Sequence, residues 1–498
     1  EKMLSFLVQL GSLAVLAAAA AAEKPPNILW IMSDDLGYGE LSSYGQRNFS
    51  TPNLDQLAKE GIRFKYGYAG APVCAPSRCA LMTGLHLGHA YIRGNNANAD
   101  GTDMALRESD MTVAQLLQDA GYFTALVGKW GLGYNASTGQ PNRKGFDYYF
   151  GEIDQKAAHN MYPPFLWLNT DTIAMPGNVP SASEPPPSRD RCTAWGGGGC
   201  NWTHAAFTDV TLDVLQNRAE AVDNKPFFLY LSWTDPHAGG WTTDYNETGN
   251  PVPWAGCFAR EDDWPIVERD HASVIQNFQD RDVGRILSTL DRLGFSNSTV
   301  IFFASDNGAS NEGGSDAFGF HDYKFFDSSG GLRGCKRSLY EGGIRTPAII
   351  RWPGVAPAGV TSDFPWYFPD FLPTALAIAQ RYDLVDQLDV PVDGISILPT
   401  LRGQAQKRTD QCMYFEFCTS GLWGQAAVLH ESDKGYFKAV RLSSQEVFEL
   451  YELKTDPSES VDVSASHPMI LSILEHCIQS QHTDSPDFPA GDAACSSS

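Results

Sequence analysis

Four short apolar runs constrain this chain more than any other feature, because each ends abruptly in a cluster of polar residues. Asn27-Ile28-Leu29-Trp30-Ile31-Met32 leads into Ser33-Asp34-Asp35-Leu36-Gly37, and Thr299-Val300-Ile301-Phe302-Phe303-Ala304 into Ser305-Asp306-Asn307-Gly308. Pro226-Phe227-Phe228-Leu229-Tyr230-Leu231 leads to Thr234-Asp235-Pro236-His237, and Tyr122-Phe123-Thr124-Ala125-Leu126-Val127 to Gly128-Lys129-Trp130. Continuous rather than alternating apolarity marks strands covered on both faces, as in a parallel sheet. Helical patterns lie between the runs. Thr51 reads as an N-cap with Pro52 at the first helical position and Gly61 as the stop; 112–120 and 267–293 follow the same grammar, stopped by Gly121 and Gly294. Strands alternating with helices predict an α/β fold, a large mixed but mainly parallel sheet sandwiched by helices. Ligands of such sheets bind outside the carboxyl ends of the strands. Asp34, Asp35, Lys129, His237, Asp306 and Asn307 are therefore expected to converge on one crevice.

A chain of 498 residues exceeds one ordinary core, so a second domain is expected. From about Gln411 the character changes: Cys412–Phe417, Gln425–Leu429, Gly435–Val440 and Phe448–Tyr451 read as short strands, followed by a helical pattern over Met469–Gln481. The expected division is a signal peptide over 1–22, the main α/β domain over 23–405, and a small antiparallel α+β domain over 406–498 with a disordered serine-rich tail. Between Trp167 and Trp202 no apolar periodicity is sustained, and Pro185-Pro186-Pro187 and Gly196–Gly199 read as an irregular loop. Trp233, Trp241 and Trp254 suit either stacking on sugar rings or core and rim packing; His321, Tyr323 and Lys324 suit either the pocket or a solvated loop.

The apolar residues up to Ala22 would be long enough to cross a membrane, but their alanine-rich end fits a cleaved signal peptide better, leaving no stable membrane anchor. Asn-x-Ser/Thr triplets at Asn48, Asn135, Asn201, Asn246 and Asn297 suit an exported, N-glycosylated protein, secreted or delivered to a lysosome or vacuole. Ten cysteines in an oxidising compartment predict some disulfides. Cys192/Cys200, Cys412/Cys418 and Cys477/Cys495 are close enough in sequence to pair, although sequence does not decide connectivity. A formal charge of −23 argues against nucleic acid as a partner, but not against an anionic small substrate met by local lysines.

Asp34, Asp35, Asp306 and Asn307 offer only oxygen donors, a set that selects calcium or magnesium over zinc. Three carboxylates crowded together would repel without a cation. Pro76 suits the first turn of a helix, which places Cys74 just ahead of a helix N-terminus that favours an anion. On these grounds alone Cys74 is either a buried core thiol, a disulfide partner of Cys79 or another cysteine, or a reactive group.

The run Cys74-Ala75-Pro76-Ser77-Arg78-Cys79-Ala80-Leu81-Met82-Thr83-Gly84 resembles the signature of the formylglycine-dependent sulfatase family, Cys-x-Pro-Ser-Arg followed by Leu-x-Thr-Gly. Asp34-Asp35-Leu36-Gly37-Tyr38-Gly39 is similar to the family's opening metal motif and Ser305-Asp306-Asn307-Gly308 to its second. Gly128-Lys129-Trp130, Pro236-His237 and the segment Leu332–Pro347 around Lys336 also resemble family elements, and the likeness runs from Asn27 to about Pro457. It implies an alkaline phosphatase-like fold with a small C-terminal domain packed beside the site, and hydrolysis of sulfate esters. Cys74 would be oxidised by a formylglycine-generating enzyme, and the hydrate of the aldehyde would supply the attacking oxygen. Residue 74 would join Asp34, Asp35, Asp306 and Asn307 around Ca2+, with Mg2+ as the second choice. Lys129 and Lys336 would bind sulfate oxygens, and Arg78 would hydrogen-bond the hydrate and neighbouring carboxylates. His237 is the preferred general acid, since the unperturbed pKa of histidine lies near neutrality.

One position departs from the resemblance. Many family members read Gly-Lys-Trp-His-Leu-Gly, whereas this chain has Gly131 in place of the histidine, which in the family touches the formylglycine hydrate. A subset similar to polysaccharide sulfatases shares the glycine and a segment like Asp154-Gln155-Lys156-Ala157-Ala158-His159-Asn160-Met161-Tyr162-Pro163. His159 is thus expected to share the missing role or to contact substrate. A sulfated carbohydrate is the preferred substrate, with a small sulfate ester close behind. The alternatives are a phosphoester or phosphonate hydrolase of the same superfamily, and a catalytically silent sulfated-glycan-binding protein.

Overall fold

The computed structural model describes residues 24–495 apart from 96–101, 176, 179–200, 240–248, 251, 316–318, 411, 420–421, 432–434 and 489–490. The expected signal peptide and serine-rich tail, the runs at 185–187 and 196–199, Cys192, Cys200, Trp241 and Asn246 lie outside the described residues.

Ten strands form the main sheet: β1 (Asn27–Asp34), β2 (Ile62–Phe64), β3 (Phe123–Lys129), β4 (Tyr148–Glu152), β5 (Phe165–Leu168), β6 (Asp171–Ala174), β7 (Phe227–Pro236), β8 (Thr299–Ser305), β9 (Ala348–Arg351) and β10 (Val360–Ser362). Their order is β10-β2-β9-β8-β1-β7-β3-β4-β5-β6. The central run β8-β1-β7-β3-β4 is wholly parallel, while β9, β5 and β6 pair antiparallel towards the edges. The uninterrupted apolarity of the central strands is two period-2 patterns superposed. Ile28, Trp30 and Met32 join Phe228, Tyr230, Val300 and Phe302 in the core on one face. Leu29 and Ile31 join Phe227, Leu229, Ile301 and Phe303 on the other. Trp30 anchors the first layer, stacking on Phe302 at 5.2 Å and meeting Phe371 edge-on at 4.4 Å. Four exposed residues make up β6, so no apolar pattern marked it as a strand, and the stretch after Trp167 begins as a hairpin rather than a loop.

The helices that cover the sheet and the small domain are α1 (Pro52–Glu60), α2 (Cys74–Thr83), α3 (Val113–Asp119), α4 (Thr203–Glu220), α5 (Ile266–Ser273), α6 (Arg281–Arg292), α7 (Phe371–Ile378) and α8 (Pro468–Gln481). Thr112 caps α3 in a capping box with Gln115, as its position predicts. At α1 Pro52 takes its place in the first turn, but Thr51 makes no side-chain cap; Asp280 instead accepts the N–H groups of Asn53 and Leu54, each at 2.9 Å.

The single helix expected over 267–293 is broken. A seven-residue π-helical stretch, Val274–Asp280, separates α5 from α6. The wider turn aims consecutive residues at two buried targets, Asp280 at the start of α1 and Gln279 at the end of β7. Gln279 Nε2 donates to the Asp235 carbonyl at 2.6 Å and to its Oδ1 at 2.7 Å. From the other side His204 of α4 places Nδ1 2.9 Å from Asp235 Oδ2 and Nε2 3.2 Å from Asp282 Oδ2, its ring stacked 4.9 Å from both Trp202 and Trp233. Trp233 is thus a core residue, whereas Trp254 is 45% exposed.

The C-terminal residues form an antiparallel meander, β11 (Met413–Thr419), β12 (Leu422–Glu431), β13 (Gly435–Arg441) and β14 (Glu449–Glu452). One face packs Phe415, Val428 and Tyr436 against Tyr66, Val73 and Leu339 of the main body; the other is covered by Leu474 and Ile478 of α8. Disulfides join Cys412 to Cys477 and Cys418 to Cys495. Neither neighbouring pair closes on itself. Cys412 precedes and Cys418 lies near the end of one extended strand, about 20 Å of chain apart and far beyond the reach of a disulfide, so each crosses to the segment packed over it. No helix among the described residues is long and apolar enough to cross a membrane.

Burial opposes protonation of His204, but Asp235 and Asp282 outweigh it and raise the imidazole pKa to about 9. A raised histidine contributes stability in full below its unfolded value and loses it as pH rises through the folded one. Thermal unfolding should accordingly show Tm declining from near neutrality to above pH 9. His204→Ala is expected to cost about 3–5 kcal/mol in urea denaturation by removing the buried cation that Asp235 and Asp282 share; an unchanged stability and pH profile would contradict this role.

Candidate functional site

All four polar strand ends meet at the carboxyl edge of the central strands, and the N-terminus of α2 closes over them. Cys74 is the first residue of that helix, with Pro76 at the third position, rather than a residue ahead of it. Every residue of α2 is buried. Cys74 and Cys79 are both free thiols, so the disulfide alternative is not realised. Cys79 packs in the core on one side of the sheet.

One turn after Cys74, Arg78 fans its guanidinium beneath the crevice. Its Nε and Nη2 donate to Asp306 Oδ2 at 2.9 and 2.8 Å, Nη2 lies 3.3 Å from Asp34 Oδ2, and Nη1 donates to the Lys129 carbonyl at 3.2 Å and to Ser232 Oγ. Lys129 Nζ donates to Asp34 Oδ2 at 2.7 Å. Lys336 Nζ donates to Asp35 Oδ2 at 2.9 Å, Glu312 Oε2 at 3.0 Å and His237 Nε2 at 2.9 Å. His237 Nδ1 faces the Ala238 carbonyl at 2.5 Å; a carbonyl only accepts, so Nδ1 carries the ring proton and Nε2 is the acceptor for Lys336. His159 stacks on His237 with centroids 4.3 Å apart, and its buried Nε2 has no partner. The sequence-predicted residues therefore all assemble, including the one expected from the Asp154–Pro163 segment.

Glu312 is the member that sequence reasoning missed. It sits in the loop after β8, paired with Lys336 and Arg337 and 3.7 Å from His237. Ser310-Asn311-Glu312 looks like any polar loop, and only the fold brings it to Lys336. Ser232 was equally silent, a small residue within an apolar strand. His321 spends its ring on Glu268 at 2.9 Å and stacks on His271, while Lys324 is exposed.

Charge organises these groups. Burial opposes ionisation of Asp34, but Lys129, His237, Arg78 and Lys336 outweigh it and hold its carboxyl well below the usual carboxylate range. Burial and the neighbouring Asp34 push Asp306 up, against Arg78. Burial, and then Lys336, lowers His237; burial and His237 push His159 further down. Burial and Asp34 raise the Cys74 thiol far above its ordinary value, so it is held neutral and is a poor nucleophile as a thiol. Arg78, Lys129 and Lys336 lie among four acids, Asp34, Asp35, Asp306 and Glu312, and Asp34 still pushes Asp306 up, so the acids remain short of positive charge.

The donor set fits a metal ion. Ligand atoms of Asp34, Asp35, Cys74 and His237 lie within 4.8 Å of one another. Asn307 Nδ2 is spent on Asp35 Oδ1 at 2.7 Å, which leaves its buried Oδ1 facing no donor. An amide oxygen stranded among carboxylates, with Asp35 held at φ +69°, is what a hard divalent cation would satisfy. Of the expected ligands, Asp34, Asp35 and residue 74 belong to that cluster, while Asp306 and Asn307 adjoin it through their hydrogen bonds to Asp35.

Residues 26–381 match the family described as Sulfatase, and residues 330–481 that described as N-sulphoglucosamine sulphohydrolase, C-terminal. Arylsulfatase D of Homo sapiens is 31% identical over 472 residues, covering 82% of this chain and 73% of its own. N-acetylgalactosamine-6-sulfatase of Mus musculus is 33% identical over 427 residues, covering 82% and 71%. Among solved structures, Ps i-CgsB in complex with k-i-k-neocarrahexaose aligns with TM-score 0.69 at 23% identity, over 91% of this chain and 92% of that one, a likeness of fold.

Chelator-stripped protein is expected to gain thermal stability on titration with Ca2+, and less with Mg2+, since ligand binding to the folded state alone raises Tm. Asp35→Asn combined with Asn307→Ala should remove the shift. A Tm indifferent to both ions would rule the cation site out.

Proposed function

The chain belongs to the sulfatase family and is a sulfuric ester hydrolase; on that premise we propose that it acts on a sulfated carbohydrate through a formylglycine formed from Cys74, with a calcium ion beside it. The observation that carries this reading is the position of Cys74, a thiol kept neutral at the focus of Lys129, Lys336, His237 and His159. A cysteine meant to attack as thiolate is partly exposed to an electropositive setting; this one is wholly buried, and burial with Asp34 outweighs its two lysines. Oxidation to formylglycine, whose hydrate bears the attacking oxygen, would supply the nucleophile that the thiol is not. The cation would bring fixed positive charge to the sulfate oxygens.

The chain's own side chains do the rest. Lys129 and Lys336 now rest on Asp34 and Asp35, and both ammonium groups are within reach of an anion entering above Cys74. Fixed cations in a water-poor crevice stabilise charge developing on sulfate oxygens without reorganising. Arg78, committed to Asp306 and Asp34, orients the acids and the start of α2. The leaving oxygen takes its proton from the His237–Lys336 pair, which already shares a hydrogen bond at 2.9 Å. An arriving sulfate raises the proton affinity of a histidine that burial, and then Lys336, otherwise lowers. His159, parallel to His237 with a free ring nitrogen, takes the proton-transfer role left open at Gly131.

The substrate class rests on the relatives: an N-acetylgalactosamine-6-sulfatase in sequence and, in fold, a protein solved with k-i-k-neocarrahexaose. Export with N-glycosylation is part of the same proposal. Two disulfides need an oxidising compartment, and Asn48, Asn135, Asn201 and Asn297 are exposed, as glycan acceptors must be.

Sulfate release from carrageenan, fucoidan, ulvan and glycosaminoglycan fragments is the decisive assay, paired with mass spectrometry of the Cys74 peptide from the native source. Cys74→Ala should abolish release, and His237→Ala should lower kcat by about 10²–10⁴-fold. Full activity with an unaltered Cys74 thiol would defeat the formylglycine proposal; activity confined to non-carbohydrate sulfate esters would defeat the substrate class.

A further inference from the structure

We propose that the side-chain amide of Gln155 contacts the sulfate group directly, occupying the space that a side chain at position 131 would otherwise fill. Gly131 has φ +73°, and a Cβ added there would lie 2.6 Å from Gln155 Oε1 and 3.9 Å from Lys129 Cε. The amide thus stands beside the lysine stem at the wall of the crevice. Gln155 is 6% exposed, yet neither its Oε1 nor its Nε2 has a hydrogen-bond partner. A buried amide with both ends unpaired is costly to fold, whereas one that meets a ligand is not.

Its backbone is firmly placed. The Gln155 N–H donates to Asp103 Oδ2 at 2.5 Å, while the N–H groups of Trp130 and Gly131 donate to the carbonyls of Glu152 and Ile153 at 2.9 and 3.0 Å. These bonds lock the 129–131 turn to the segment that carries Gln155. A primary amide offers two donors and one acceptor, and a half-turn about its last bond exchanges its ends. The donor end can therefore face an anion held by Lys129. Unlike a histidine reaching in from position 131, an amide does not titrate, so Gln155 binds and orients sulfate and leaves proton transfer to His159.

The inference rests on the sulfatase reading, and the test separates the two. Inorganic sulfate is titrated into the full-length protein by calorimetry, alongside turnover of a sulfated oligosaccharide, for wild type, Gln155→Met and Gln155→Glu. Gln155→Met keeps the shape and removes the amide; it should weaken sulfate binding and raise KM about tenfold, the worth of one hydrogen bond to a charged group. Gln155→Glu should weaken both further by setting a carboxylate against the anion. Adding Gly131→His to Gln155→Ala should restore turnover relative to Gly131→His alone, because the amide no longer blocks the ring. Sulfate affinity and KM unchanged in Gln155→Met overturn the inference while leaving the sulfatase reading intact. A wild type without sulfate-ester turnover overturns that reading, and the sulfate titration still decides the place of Gln155.

Discussion

The guanidinium of Arg78, wholly buried, gathers the carboxyl ends of four central strands to one point. Asp34 ends β1, Lys129 ends β3, Ser232 belongs to β7, and Asp306 follows β8; each gives Arg78 an oxygen. Cys74 lies four residues earlier on the same helix, so the contacts that seat Arg78 also fix the start of α2 over the crevice. Arginine suits this position because its planar fork cannot lose its proton and can serve several acceptors at once. Remove it, and Asp306 and Asp34 are left as close, buried like charges whose repulsion the lysines alone must counter.

Further out, a second shell of buried polar contacts stiffens the same strand ends. His204 and Gln279 hold Asp235, two residues before His237, and Gln279 reaches it only because the helix widens into a π turn. On the opposite side the small sheet braces the Lys336 segment. Lys438 of β13 bridges Glu341, five residues beyond Lys336 in the chain, and Glu459, at 3.0 and 2.9 Å. The proposed catalytic groups sit on strand ends, a helix start and a loop, and each has its own buried support.

What could be read from the sequence follows from how local each signal is. Strands covered on both faces announce themselves as unbroken apolar runs, and the polar residues closing them point to the crevice before any fold is known. Lys336 lies on an irregular segment and His159 on a three-residue 3₁₀ helix too short to carry a pattern, so only family likeness located them; the structure then put one on Asp35 and the other against His237. Glu312, Ser232 and Gln155 carry no local mark, since their importance arises from partners distant in sequence. The break in 267–293 was hidden for the same reason: the residues of a π turn look helical, and what selects it is the pull of Asp235 and the start of α1. Connectivity of the cysteines failed as a proximity argument because neighbours on a strand are far apart in space. Net charge misled least by saying least, as a chain at −23 still concentrates three cations in its crevice.

The complete enclosure of Cys74 sets an order of events in the life of the chain. No face of that residue reaches solvent, it opens a helix whose every side chain is covered, and the small sheet closes over Val73 beside it. A protein catalyst, far bulkier than a sulfate group, cannot reach the backbone around residue 74 while α2 is docked. On the proposed formylglycine reading, alteration of Cys74 by such an enzyme precedes the docking of α2. On that reading activation becomes a race between chemistry and folding, and a molecule that folds first is locked in its unaltered form for as long as it stays folded.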